Sequence, residues 1–252
     1  MSSKRLPRPE RKKGKDISQQ ELDEMHAIYR MADPNMPDNH IVINHIETTN
    51  PTFFIYKVDG KVAAFQAHSF YRVQTPFRKR VLPVLYTNLS YKHPEAGKEI
   101  NGFSANAQEA FLASKMGRFW FLKPFVITFQ TYNPKVLGHL NQRLRFQFPH
   151  PYIPTPKKVA EFGQQFFRET LNIHYATIDE ELIKDYHYPA PTRITEKWPK
   201  FFRSKDNRFN DMILRHKVIQ KEGDEYYLTG KAVFMIGFYN LWVLLRPKRS
   251  VR

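Results

Sequence analysis

The sequence predicts an α/β (α+β) fold: a mixed, mainly antiparallel sheet flanked by helices, followed by a C-terminal extension. Three observations carry this expectation. The stretch TFFIYKVDGKVAAFQAHSFYRV (52–73) is rich in aromatic and β-branched residues, and its Asp59-Gly60 favours the positive φ angles of a hairpin turn. After the turn at 93–97, Phe103, Ala107, Ala110 and Phe111 recur at helical spacing. Between two further strand-like stretches, Asn133-Pro134 offers a side-chain cap and a proline at the first helical position. Strands interleaved with helices in this order make a sheet of mixed directions.

Each element follows from local chemistry. Residues 1–16 carry seven basic side chains against Glu10 and Asp16, with Pro7 and Pro9 among them, which reads as a disordered basic arm. Ser18 and Glu21 form a capping box, so a helix runs from there to about Met31 with Leu22, Met25 and Ile28 inward, until Pro34 and Pro37 end it. His40 and His45 flank an expected strand and read as exposed polar residues. Val81–Tyr91 is a third strand, and FYRVQTPFRKR (70–80) before it reads as a solvated loop or a basic rim. Much of Phe119–Tyr132 is apolar or aromatic, as in a buried strand, and LRFQF (144–148) reads as another strand. Pro154–Asn172 is a proline-started helix with Val159, Phe162, Phe166 and Phe167 inward; 174–200 has no clear period. Asn207–Lys217 reads as a helix, and DEYYLTGKAVFMIG (224–237) as a strand pair broken at Gly230. The domain organisation expected is an arm at 1–16, a core at 17–152, and an extension at 153–252 that packs on the core and ends in a basic tail.

Composition excludes several chemistries. The chain has 252 residues and no cysteine, so disulfides, thiolate nucleophiles and cysteine zinc sites are out. The ten histidines are scattered without an i,i+4 pair, and no metal is expected. Gly97 to Gly102 has the outer spacing of a P-loop, but Phe103 stands where the lysine belongs; GFSAN lacks the second glycine of a nucleophile elbow. The formal charge is +16, concentrated at the arm and at Arg246, Lys248, Arg249 and Arg252. Such ends attract polyanions: nucleic acid, an anionic membrane or an acidic protein. The longest apolar run, Ala232–Leu245, is short for a membrane span. No secretory signal is visible, so the expected location is the cytoplasm, with peripheral membrane contact left open.

Two motifs resemble a known family. YKHPEAGKEI (91–100), at a strand end, is similar to the V-x-P-x-x-R-G-x-G phosphate loop of the GNAT superfamily of N-acetyltransferases. TYNPKVLGHLNQRLRFQF (131–148) resembles the segment in which that superfamily runs strand, Asn, helix, strand. The second half resembles longer bacterial GNAT-like proteins with a P-T-P helix and a closing G-D-x-x-x-x-x-G strand. The resemblance implies an acyltransferase that moves an acyl group from acyl-CoA or a phosphopantetheine thioester onto an amine, on a small molecule or a protein. An acidic acyl carrier protein as donor would suit this basic chain. It further implies a splay between the strands ending near Tyr91 and Tyr132. The pantetheine would lie along Leu89, Ser90 and Tyr91 and the pyrophosphate on Ala96, Gly97, Lys98 and Ile100, with Asn133 a further cofactor-binding residue. The sequence departs from the pattern at two points. Glu99 replaces the loop's second glycine, and Leu140 and Asn141 stand where the family's proton-donating tyrosine falls. Tyr132 and His139 are the nearest substitutes. The alternative is a non-catalytic module of the same fold that contacts nucleic acid, an anionic membrane or a partner protein through its basic ends.

Overall fold

A computed structural model describes residues 6–34, 37–187, 190–194 and 203–241. The basic tail at 246–252 lies outside them. The chain forms two compact units, Met1–Phe70 with Leu85–Trp120, and Tyr71–Val84 with Phe121–Arg252.

In the first unit the strands run in the order β1 (Glu10–Lys13), β2 (Thr52–Val58), β3 (Lys61–Thr75) and β4 (Arg78–Lys92), the last two extending into the second unit. Asp59 and Gly60 have φ of 51° and 80°, as the β2–β3 hairpin requires. Helix α1 (Gln19–Ala32) starts at the Ser18–Glu21 capping box and buries Met25, Ile28 and Tyr29. A wide helical turn at Val42–Ile46 leads into the short α2 (Glu47–Thr49), and α3 (Phe103–Met116) buries Ala107, Phe111, Leu112 and Met116.

Among the described residues of the arm, Glu10–Lys13 form a strand and Gly14–Asp16 a helical turn, where disorder is expected from the charge. β1 pairs antiparallel with β2, from Glu10 opposite Ile55 to Lys13 opposite Thr52. The dense charge that suggested disorder finds partners: Lys12 Nζ donates to both oxygens of the buried Glu21, at 2.6 and 2.8 Å, and the Arg11 guanidinium lies over the Phe54 ring. Gly14 packs so closely on Ile46 that a Cβ would stand 2.8 Å from its Cγ2. His40 and His45 are likewise interior, 3% and 4% exposed, with Tyr29 beside His40.

In the second unit β5 (Phe125–Thr131) is followed by α4 (Pro134–Asn141), β6 (Phe146–Phe148), α5 (Lys157–Gln165) with a wider turn at Phe166–Thr170, β7 (Thr177–Ile178), β8 (Ile183–Asp185) and β9 (Thr192–Arg193). α6 (Asn207–Arg215), β10 (Ile219–Glu222), β11 (Glu225–Leu228) and β12 (Lys231–Tyr239) close the order. β12 pairs antiparallel with β5 along one edge, and with β8 and then β6 along the other. β12, which lies beyond the boundary expected at 152/153, stands between β5 and β6 in the same sheet. Gly230 does stand between two strands, β11 and β12, but they do not pair with each other: β11 joins β9 and β10 in a separate small sheet. α5 covers one face of β12, with Gly163 against Leu182 and Ile236; α4 takes the other, where its Leu137 carbonyl accepts from Gln147 of β6. The basic stretch 70–80 is strand up to Thr75 and again from Arg78, joined by Pro76-Phe77 rather than a solvated loop; Phe77 stacks on Phe238 at 5.2 Å. β5 begins only at Phe125, and Phe119, Phe121 and Leu122 before it are exposed.

Candidate active site

The turn after β4 is held from its own ends. Leu89 is buried, Ser90 is exposed, and the Tyr91 ring packs against Tyr29 at 4.5 Å and Phe65 at 5.8 Å. His93 N–H donates to Ala63 of β3, and Ala96 N–H to His93. Lys92 Nζ donates to the Gly97 carbonyl and to Asn101 Oδ1, each at 3.1 Å, closing the turn across its mouth. Lys98–Ile100 forms one tight helical turn; Ile100 is buried, and its N–H and that of Asn101 donate within the turn. Two of the amides expected to meet a phosphate, those of Ala96 and Ile100, are thus occupied by the turn itself.

Gly97 has φ −65° and ψ −173°, a conformation open to any residue, so its backbone angles do not demand glycine. Its space does. A Cβ there would fall on the carboxylate of Glu99, which folds back over the turn. The residue that replaces the family's second glycine does not point away: it lies on the first.

α3 then starts at Gly102, in the left-handed region with φ 84°, and no side chain caps its first amides. Neighbouring strands brace this end. Tyr56 OH is 3.1 Å from the Phe103 carbonyl and 2.9 Å from Asn106 Oδ1; burial pushes its phenol up to about 12. Gln66 Nε2 donates to Ser104 Oγ at 2.8 Å, and Ser90 Oγ lies 3.5 Å from the same hydroxyl. A helix amino end left without a side-chain cap and lined by hydroxyls suits an anion. Neither Tyr56 nor Gln66 stood out in the sequence, because both read as ordinary strand residues.

Tyr132, Asn133 and His139 belong to the second unit, whereas Leu89 to Ile100 belong to the first. Asn133 is committed locally: its N–H donates to Thr131 Oγ1 and its side-chain oxygen caps Lys135 N–H, both at 3.0 Å. Tyr132 is partly exposed at the end of β5. His139 is exposed on α4; partial burial of the ring, then Arg143 and Lys135, lowers its pKa. Leu140 and Asn141 end α4, so no tyrosine stands there. Among the described residues no cluster of His, Asp and Glu could hold a metal, and no helix is long and apolar enough to cross a membrane.

From Thr52 onward the order is hairpin, strand, turn, helix, strand, Asn-capped helix, strand, on a mainly antiparallel sheet. This is the order of elements that the resemblance to the GNAT superfamily implies. No protein-family model and no curated protein sequence matches the chain. Among solved structures it is similar to the aminoglycoside N-acetyltransferase AAC(6')-Iy in complex with CoA, at 15% identity and TM-score 0.33 over 45% of this chain and 74% of that one. A probable N-acyltransferase from Enterococcus faecalis overlays at 13% identity and TM-score 0.38, over 55% of this chain and 33% of that one. Ard1 from Thermoplasma volcanium does so at 18% identity and TM-score 0.34, over 57% and 88%. Overlays this partial carry no functional assignment.

Proposed function

We propose that this GNAT-like chain is an acyltransferase that moves an acyl group from a thioester donor, acyl-CoA or an acyl carrier protein, to an amine. The observation that carries the reading is the amino end of α3, which lacks a side-chain cap, follows a glycine in the left-handed region, and is braced by Tyr56, Gln66 and Ser90. In this reading the donor's phosphates meet the amides of Gly97 and Lys98 and the first amides of α3, with Ala96 and Ile100 shaping the turn, and its pantetheine runs along Leu89, Ser90 and Tyr91. Asn133 fixes the start of α4, and Tyr132 or His139 returns a proton to the departing sulfur. Binding and orientation supply most of the rate in such a transfer, so the missing family tyrosine weakens the chemistry without forbidding it.

A second reading, a non-catalytic module that contacts a polyanion or partner protein through its basic ends, is favoured by one observation: Glu99 lies over Gly97 where a pyrophosphate would come. A carboxylate beside a phosphate is unfavourable at short range. Thermal stabilisation separates the two. A donor at 100 times its Kd adds about 2.7 kcal/mol of stability, which acyl-CoAs of graded chain length would show. Stabilisation by an oligonucleotide alone would select the module.

A further inference from the structure

Phe77, in the short link between β3 and β4, stacks on Phe238 of β12 with ring centroids 5.2 Å apart and planes inclined by 11°. Phe146 of β6, opposite Phe238 in the strand pairing, lies against the same ring at 6.5 Å and 17°. All three belong to the second unit. Phe238 is buried, Phe77 is half-buried, and Phe146 is 44% exposed. Two arginines frame the rings. The Arg78 guanidinium lies 6.0 Å from the centre of Phe238, and that of Arg145 lies 5.4 Å from the centre of Phe146. Lys79 and Arg80 follow at the start of β4, exposed like Arg78.

Among the described residues none of these four cations meets a carboxylate, and Arg145 Nε is shielded from solvent without a hydrogen-bond partner. Contact with a ring face uses none of a guanidinium's five N–H donors, so they stay open to an anion. Three consecutive cations without a counter-charge repel one another, and a bound anion relieves that repulsion. A small anion would meet the cations and leave the rings unused. A lipid surface would call for apolar side chains that project from the protein, whereas Phe77 and Phe146 lie nearly parallel to Phe238 and against it. Aromatic faces beside arginines suit bases joined by phosphates. In a duplex the bases already stack on one another, and only the phosphates are offered.

We infer that this surface binds a single strand of nucleic acid. Phe146, the most exposed of the three rings, stacks on a base, while Arg78, Lys79, Arg80 and Arg145 hold the phosphates on either side of it. The surface shares no residue with the turn after β4 or the start of α3, and none with the basic ends. It therefore stands whether or not the chain transfers an acyl group.

Fluorescence anisotropy of the full chain with a labelled oligodeoxythymidylate of about 12 nucleotides, which forms no secondary structure, tests the surface. The parent should bind this single strand more tightly than a duplex of the same length. Phe146→Ala should lose about 10-fold in affinity for the single strand, and Phe146→Tyr should keep it. Heparin, a polyanion without bases, should bind all three alike. Arg78→Gln should reduce the slope of log Kd against log salt by about 0.7, the share of one phosphate contact on a single strand. The basic ends are the same in every variant, so their attraction cancels. Arg78 is exposed, so its variant reads the surface even if loss of the Phe146 ring disturbs β6. No binding by the parent, parent-like affinity in Phe146→Ala, an equal loss toward heparin, or an unchanged salt slope in Arg78→Gln would each overturn the inference. Equal affinity for duplex and single strand would do so too, by reducing the surface to its charge. Phosphatidylserine vesicles that release Phe146→Ala while the oligonucleotide does not would assign the surface to a membrane instead.

Discussion

Replacing Glu21 by Gln tests how the basic arm is held. The Glu21 carboxylate is 5% exposed and accepts from Lys12 at 2.6 and 2.8 Å, from Lys57 at 2.9 Å, and from Ser18 N–H at 2.9 Å. Burial works against its charge, but the bonds from Lys12, then Lys57 and Ser18, outweigh it and bring the pKa from 4.5 down to about 2. A displacement of that size corresponds to about 3 kcal/mol. The two lysines are 28% and 27% exposed, so solvent screening reduces it to about 2–3 kcal/mol. Glutamine keeps some of the hydrogen bonds, which leaves a loss of about 2 kcal/mol at pH 7. The sign follows from linkage. A depressed carboxylate stabilises the fold fully above its unfolded value near 4.5, and this contribution is lost as the pH falls through about 2. Urea unfolding of parent and Glu21→Gln between pH 7 and pH 2 should therefore show a gap that closes toward acid. A gap under about 0.5 kcal/mol at pH 7, or one that does not change with pH, would refute the ion-pair account of the arm.

Three further outcomes follow. Deleting residues 1–13 removes β1 and one of the two lysines on Glu21, so the melting temperature should fall by several degrees; an unchanged value would mean the arm is dispensable. His68 is buried between Phe54 and Phe111, and burial pushes it down to about 3; stability should decline as the pH drops from about 6.5, where the unfolded chain takes up a proton the folded one refuses, and His68→Leu should flatten that decline. Gly163→Ala puts a methyl group against Leu182 and 2.9 Å from Ile236 Cδ1, which should cost about 1–3 kcal/mol in chemical denaturation; a neutral result would show that α5 can shift on β12.

The sequence carried the local signals well and the charges badly. The Ser18 capping box, the Asp59-Gly60 turn and the Asn133-Pro134 helix start are each settled within a few residues, and each appears where expected. The arm was misread because Lys12 meets its partner Glu21 through the fold, and a count of charges shows only repulsion. β12 was assigned to an extension because strand pairing across about 100 residues leaves no mark on composition. At the turn, Glu99 was visible as a departure from the family's loop, but its folding onto Gly97 depends on side-chain geometry that no spacing encodes. Phe77 and Phe146 stand in separate stretches of the sequence; only the fold brings both against Phe238.

The central claim is that the turn after β4 and the start of α3 receive a thioester donor. Titration calorimetry of acetyl-CoA into the parent chain, Gly97→Val and Glu99→Gly tests it most directly. The account predicts saturable binding to the parent. It predicts loss of binding in Gly97→Val, whose side chain must displace the Glu99 carboxylate into the turn's mouth, and equal or tighter binding in Glu99→Gly, where the carboxylate is gone. No heat from acetyl-CoA in either the parent or Glu99→Gly, or parent-like binding by Gly97→Val, would contradict it.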